Sequence, residues 1–328
     1  MADALGLVLP HGRIGELAEW AADAEKAGFG SVWAIEYNDR SAVVSAAALA
    51  AATRRITVGT SIAYAFGRSP LVLAVEAMDL DALSGGRFRL GIGTGTTRML
   101  ADWHGVDPAH PAPRMEELVP LLRRLWRLHE GPVAHDGRFY RLRVSPRSGS
   151  RPPERAEIPV DVAGVNPRMI AAAGAVADRL LGHQLCTPAY VREVVRPALA
   201  TGARGAGRNA APPIAGTLLC SVDDDADLAR RRAAETMAFY AATRTYATML
   251  ARHGYAAETE RVRRAWRQGD PAGMAEAVSD RMLDDIALAG TPREVRDRFA
   301  ARWRDLYETT LLFPVPGGEN ALIDAFRA

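Results

Sequence analysis

Leu83-Ser84-Gly85-Gly86-Arg87-Phe88-Arg89-Leu90-Gly91-Ile92-Gly93-Thr94-Gly95-Thr96-Thr97 is the stretch whose reading decides the fold. Ser84-Gly85-Gly86 ends a helix, because glycine accepts the left-handed conformation of a helix C-cap. Phe88 to Ile92 has the length of a short strand. Gly93-Thr94-Gly95-Thr96-Thr97 then exposes backbone N–H groups and hydroxyls just past the strand's C-terminal end. In α/β folds ligands bind at that end. A tight βα turn without a ligand is the alternative. The glycine spacing is not a dinucleotide fingerprint, since the sixth position from Gly91 is Thr96 and from Gly93 is Arg98.

Outward from this point, strand and helix patterns alternate. Leu5–Leu9 reads as the first strand, Ser31–Ile35 as the second and Ile56–Gly59 as the third. After Phe88–Ile92 come Pro159–Ala163, Arg179–Leu185, Ile214–Ser221 and Thr309–Phe313. Helical spacing covers 16–26, 42–52, 71–82, 115–128 and 167–177, with Pro120 a candidate kink. Eight strands alternating with helices, without a composition break, predict an α/β fold, a single (β/α)8 TIM barrel over 1–328. A doubly wound open sheet is the alternative. Two segments interrupt the repeat. Residues 131–158 read as an inserted hairpin or excursion after the fourth helix. Residues 226–289 read as a helical extension before the eighth strand, broken at Gly254 and near Asp270-Pro271. It either lids the barrel mouth, or packs outside the barrel or forms a subunit contact. Thr291-Pro292-Arg293-Glu294 is a capping box that opens the last helix before that strand.

Composition narrows the function classes. The chain has 328 residues, 48% hydrophobic and 24% charged, with net charge +2, so nothing drives it toward nucleic acid. Lys26 is the only lysine, and the arginines are scattered among acids. Arg230-Arg231-Arg232, after Asp223-Asp224-Asp225 and Asp227, reads as a solvated helix face. Cys186 and Cys220 are too few for a disulfide framework or a zinc site. No run approaches a membrane span, and the start carries no secretory pattern, so a cytoplasmic protein without membrane contact is expected. His104 and His110 show no metal-ligand spacing.

The order of short motifs resembles the bacterial luciferase-like superfamily of flavin- and deazaflavin-dependent oxidoreductases, over essentially the full length. The resemblance rests on Ala24-Glu25-Lys26-Ala27-Gly28-Phe29-Gly30-Ser31-Val32-Trp33, on Val58-Gly59-Thr60 leading to Arg68-Ser69-Pro70, and on the Ser84–Gly95 stretch. It continues through Arg114-Met115-x-Glu117, Asp136-Gly137-Arg138-Phe139-Tyr140 and Gly164-Val165-Asn166-Pro167-Arg168-Met169, then Ala173-Gly174 and Ala177-Asp178.

The resemblance implies FMN or coenzyme F420 at the C-terminal mouth of the barrel. Thr60, Ser61, Ile62 and Ala63 would back the ring, with a non-prolyl cis peptide at Ser61–Ile62 as in the F420-using branch. Gly93, Thr94, Gly95 and Thr96 would contact the ring edge and side chain. Gly164, Val165 and Asn166 would grip the cofactor phosphate where free helix N–H groups favour an anion, and Arg168 would add charge. The family's acid-then-histidine pair after the second strand becomes Glu36 and Tyr37, and the glutamate expected after the fourth strand is Thr96. Tyr37, oriented by Glu36, is therefore the candidate proton donor, with His11 and His183 as alternatives. Tyr64, Phe66 and Trp103 are candidates for the substrate wall, with core or rim packing the alternative.

These readings predict an oxidoreductase moving a hydride from reduced F420 to a C=C or C=N bond of a small or medium organic substrate. The alternatives are an FMN-dependent monooxygenase, which would need a flavin reductase as partner, and a non-catalytic flavin-binding barrel. The resemblance also implies a homodimer.

Overall fold

The computed structural model describes residues 5–149, 152–155 and 157–327. Three positions of the 131–158 insertion (150, 151 and 156) and the two ends of the 1–328 domain lie outside them. The strands are β1 (Leu5–Leu9), β2 (Ser31–Ala34), β3 (Thr57–Thr60), β4 (Ala63–Tyr64), β5 (Phe88–Gly93), β6 (Val133–Asp136), β7 (Arg141–Val144), β8 (Val160–Ala163), β9 (Arg179–Gly182), β10 (Ile214–Val222), β11 (Ala287–Gly290) and β12 (Thr309–Pro314). Eight of these, β1, β2, β3, β5, β8, β9, β10 and β12, pair in parallel in that order, and β12 closes back onto β1. The barrel expected from the alternation is present, and closure excludes the open sheet.

The decisive stretch explains how its strand sits. Gly85, at φ 64°, caps the helix Pro70–Ser84, and Ser69 caps the other end by accepting from the Val72 N–H. Arg87 then donates to the carbonyls of Ala50, Thr53 and Ile56, tying the strand entry to the preceding βα unit. Phe88, Leu90 and Ile92 are buried in the apolar core. Gly91 and Gly93 alternate with them. A Cβ at Gly91 would overlap the Thr60 carbonyl oxygen, and one at Gly93 would overlap the Ile62 side chain. Glycine therefore lets β3 and its following loop lie against β5.

The insertion is the antiparallel hairpin β6–β7. Glu117, on the helix Pro111–Trp126, accepts from the N–H groups of Phe139 and Tyr140 and from His135 Nε2. That accounts for Glu117 and the Gly137–Tyr140 turn as structural motifs. The helix starts four residues before the predicted position and runs through Pro120.

The extension supplies the helices Ala226–Ala241, Arg244–Arg252, Ala256–Gln268, Pro271–Glu276 and Asp280–Ile286, with breaks at Gly254 and Asp270 as predicted. Its end corrects the sequence reading: 287–290 form the strand β11, not helix. β10 forks, its first half pairing with β9 and its second half with β11. A four-residue apolar run at the end of a helical segment carries no periodicity of its own. The basic run is also not simply solvated, since Arg230 bridges Asp280 and Asp284 at 2.7 Å each and Arg232 meets Asp223.

Candidate active site

The loop after β3 forms one wall at the C-terminal mouth. Thr60 stitches β3 to β5, its hydroxyl donating to the Gly91 carbonyl at 2.6 Å and accepting from the Gly91 N–H at 3.0 Å. Thr60 is fully buried and so unavailable to a ring, contrary to the sequence expectation. The Ser61–Ile62 peptide is cis, as the resemblance implied. Ser61 N donates to the Ala34 carbonyl, and the Ile62 carbonyl accepts from Glu36 N, which ties the loop to β2. Ala63 is buried in β4, leaving Ser61 and Ile62 partly exposed.

Glu36 departs from its expected role. Its buried carboxylate takes a bidentate pair from Arg68 at 2.7 and 2.6 Å and accepts from Tyr64 N at 2.7 Å. Arg68 also meets Glu76 at 2.8 Å. Glu36 thus clamps the loop 60–64 and does not orient Tyr37, whose hydroxyl has no hydrogen-bond partner among the described residues. The Tyr37 ring packs edge-on against Trp103, 5.4 Å between centroids. Burial, then Asp39, raises the Tyr37 hydroxyl above its ordinary pKa, so it is a protonated donor at neutral pH.

The glycine loop after β5 forms the floor. A side chain at Gly93 would also come within 3.2 Å of Ala163 Cβ, and Gly95, at φ 65°, lies beneath the Tyr64 ring. Thr94 donates to its neighbour's carbonyl, Gly95 O, at 2.9 Å. Thr96 caps the turn Met99–Trp103 by accepting from Met99 N at 3.2 Å. Its hydroxyl does local structural work at the position where the family's glutamate was expected.

At β8 the chain turns through Gly164-Val165-Asn166 into the helix Pro167–Val176. Gly164 N donates to Leu181 O at 3.3 Å, and the Tyr190 hydroxyl donates to Val165 O at 2.8 Å. Asn166, at the N-cap, makes no side-chain cap bond. The N–H groups of Arg168 and Met169 in the first turn therefore stay open, while Pro167 has none to offer. The Arg168 guanidinium is held by Glu116 in a bidentate pair at 2.7 Å, so its charge is already matched. A phosphate here would meet backbone amides.

Aromatic rings complete the mouth. His183, past β9, stacks on Tyr246 at 4.1 Å and meets Tyr240 edge-on at 5.6 Å. Tyr240 reaches Phe313 at the end of β12 (6.3 Å), and Phe313 meets His11 past β1 (6.4 Å). The first two helices of the extension therefore cover the mouth, and the later ones pack on them. His183 Nδ1 accepts from Leu185 N at 3.2 Å, which puts the ring proton on Nε2. Burial lowers its pKa to about 3, so it is neutral and cannot serve as a cationic acid. Burial, then Arg40, also lowers His11. Of the expected wall, Trp103 is exposed at the rim, while the Tyr64 hydroxyl points to Met99 Sδ (3.7 Å) and its ring packs on His104. Phe66 is buried beneath the Arg114 guanidinium, 4.2 Å from ring to carbon, and faces no substrate. Sequence reasoning missed Tyr240, Tyr246, Phe313 and the clamp partner Arg68. Phe239-Tyr240 and Tyr246, aromatics amid an Ala- and Arg-rich helical stretch, were the available signal.

Comparison with known proteins fits this geometry. The family model for luciferase-like monooxygenases matches residues 4–310. A 5,10-methylenetetrahydromethanopterin reductase of Archaeoglobus fulgidus is 30% identical over 299 residues, covering 88% of this chain and 86% of that protein. The solved coenzyme F420-dependent tetrahydromethanopterin reductase of Methanopyrus kandleri superposes with a TM-score of 0.84 at 24% identity, covering 98% and 96%. An FMN-bound Baeyer–Villiger monooxygenase component of Pseudomonas putida superposes with a TM-score of 0.69 at 17% identity, covering 98% and 96%.

Proposed function

The chain belongs to the luciferase-like monooxygenase family, a family of oxidoreductases, and from that premise we propose that it is an F420-dependent reductase acting on a C=C or C=N bond of a small organic substrate. The observation that carries this reading is the shelf at the mouth formed by the partly exposed Ser61 and Ile62, where Ile62 packs directly against the backbone of Gly93 and leaves no room for a side chain there. A planar tricyclic ring fits such a shelf, and the open amides at the start of the helix Pro167–Val176 suit the cofactor phosphate. F420 is preferred to FMN because the 30% identical relative is a methylenetetrahydromethanopterin reductase and the structure at TM-score 0.84 is an F420-dependent one.

Reduced F420, held by Ser61, Ile62 and the open amides of Arg168 and Met169, would supply the hydride for one atom of the double bond. The second atom takes a proton. Tyr37 presents an unpaired O–H at the rim and is the donor this chain offers there, passing on a proton drawn from water. His183 and His11 stay neutral there. The aromatic cover would shield the ring site from bulk water and help hold a substrate in orientation.

Titrating the cofactor-free protein with F420 and, separately, with FMN, followed by fluorescence, tests the reading. Micromolar or tighter F420 binding with weak FMN binding is expected. The opposite preference would favour an FMN-dependent monooxygenase served by a separate flavin reductase, a second reading that the FMN-bound barrel at TM-score 0.69 supports. Binding of neither would leave a non-catalytic barrel.

A homodimer belongs to the same reading. The helix Ala42–Ala52 has no charged residue, and Val44, Val72 and Val75 stand exposed on it and on the neighbouring helix Pro70–Ser84. Sedimentation should give twice the chain mass, falling to the monomer on Val72→Glu. No helix among the described residues is long and apolar enough to cross a membrane. A cytoplasmic location is part of the proposal, and fractionation of the source cells tests it.

A further inference from the structure

We infer that the loops after β1 and β2 form a subsite for a single carboxylate of the substrate, held by Arg40 and His11. The inference rests on the reading above and names the anchoring group of its substrate.

The first observation is what these two side chains lack. Arg40 is pinned beside Tyr37, the two exchanging backbone N–H···O bonds across a tight turn at 3.0 and 3.5 Å. Its guanidinium is partly buried, and Nη2 donates to the carbonyl of Gly12, the residue after His11. That bond draws the guanidinium onto the loop that carries His11. Arg40 Nη1 and His11 Nε2 are both shielded from solvent, and neither has a hydrogen-bond partner among the described residues. Polar atoms withdrawn from water are normally bonded, and a guanidinium is rarely buried without an anion.

The second observation is that the carboxylates nearby are spoken for or turned to solvent. Glu36 is held by Arg68 and Tyr64 N. Glu16 accepts from Arg13 N. Glu319, after β12, accepts from its own N–H and that of Gly317. Asp39 is exposed and makes no ion pair among the described residues. Arg40 therefore leaves one positive charge unmatched at the mouth, and one negative charge fits it. A carboxylate can set one oxygen on Arg40 Nη1 and the other on an N–H at His11 Nε2, since the neutral imidazole carries its proton on either nitrogen. A phosphate dianion would bring a second charge with no cation to meet it.

The barrel separates this subsite from the cofactor's phosphate. β1 and β8 face each other across the ring, with β2, β3 and β5 between them on one side and β12, β10 and β9 on the other. The open amides of the helix Pro167–Val176 follow β8, so Arg40 and His11 meet a different anion. The shelf after β3 and β5 lies between the two sites, and Tyr37 stands beside the carboxylate end.

Benzoate and benzamide, alike in shape and different in one charge, test this. Binding to the full chain is measured by calorimetry at fixed ionic strength, without and with oxidised F420. Benzoate is expected to bind at least about 10-fold more tightly than benzamide, as one charge-assisted bond implies. Arg40→Gln should erase that preference, and His11→Phe should reduce it several-fold. Arg40→Lys should keep most of it, because the charge remains while the fork that reaches Gly12 is lost, which separates the charge from the tie between the loops. Circular dichroism checks that each variant is folded. F420 affinity of Arg40→Gln should stay near that of the parent. Equal binding of the two probes, an unchanged preference in Arg40→Gln, a loss in Arg40→Lys as complete as in Arg40→Gln, or no binding of either probe overturns the inference. So does a fall in F420 affinity that matches the loss for benzoate, since Arg40 would then serve the cofactor. The expected benzoate pattern in a protein that binds no F420 sinks the proposed function and leaves the carboxylate subsite standing.

Discussion

Glu36→Gln removes one charge from the clamp over the loop 60–64 while preserving side-chain length. The native carboxylate accepts three short bonds, two from Arg68 and one from Tyr64 N, in a site where the two side chains are 8% and 15% exposed. Charge-assisted bonds contribute about 1.5–3 kcal/mol each against about 1 for neutral ones, and the new amide nitrogen would face a donor and leave it unpaired. The expected loss is about 3 kcal/mol, at the lower edge of the range for breaking a buried pair because Arg68 keeps Glu76. For a chain of this length that is a fall in melting temperature of about 4 °C. The loop so released is the one that would back the cofactor ring, so F420 affinity should drop about 10-fold, a loss of about 1.4 kcal/mol. Urea unfolding followed by circular dichroism, with an F420 titration on the same preparation, measures both. A variant within about 0.5 kcal/mol of the parent and equal in F420 affinity would refute the clamp, since ordinary surface changes stay inside that margin. Tyr37→Phe is the control and should leave stability unchanged.

His183 titrates at about 3 in the folded chain but near its ordinary 6.5 when unfolded. The unfolded chain therefore binds the extra proton between those values, and stability is lost as pH falls through that window. This group should remove about 2 kcal/mol between pH 7 and pH 5. His183→Asn should flatten the pH dependence by that amount in denaturant titrations, and an unchanged slope would contradict the assigned burial. Gly91→Ala drives a Cβ into the Thr60 carbonyl and should cost about 3 kcal/mol or more in unfolding free energy. Gly93→Ala meets the flexible end of Ile62 and, less closely, the Ala163 Cβ at 3.2 Å, so it should fold with a loss of about 1 kcal/mol. Its F420 titration should nonetheless show binding weakened by an order of magnitude. Arg168→Ala should change F420 affinity less than about threefold by the same assay, because Glu116 already matches that charge in an exposed pair.

The sequence by itself determined the barrel. Short, nearly continuous apolar strands alternating with capped helices leave few other ways to bury eight of them. Local rules were enough for Gly85 at its helix end, for the Thr291–Glu294 capping box and for the breaks at Gly254 and Asp270, because each depends only on nearby backbone. The mouth loops could also be placed, since the C-terminal ends of the strands follow from the topology. What those side chains do was decided by tertiary structure alone. Glu36 is adjacent to Tyr37 in sequence but turns to Arg68, thirty-two positions away, because burial obliges a carboxylate to find a cation. Arg168 lies beside the expected phosphate loop but is taken by Glu116 across a helix pair. Phe66 disappears under Arg114, and Thr96 caps a turn. The strand β11 gains its identity only by pairing with β10, since four apolar residues carry too little period to choose a strand over a helix. Tyr240 and Tyr246 reach the mouth only because the extension folds back over it, a long-range packing choice that no local pattern encodes.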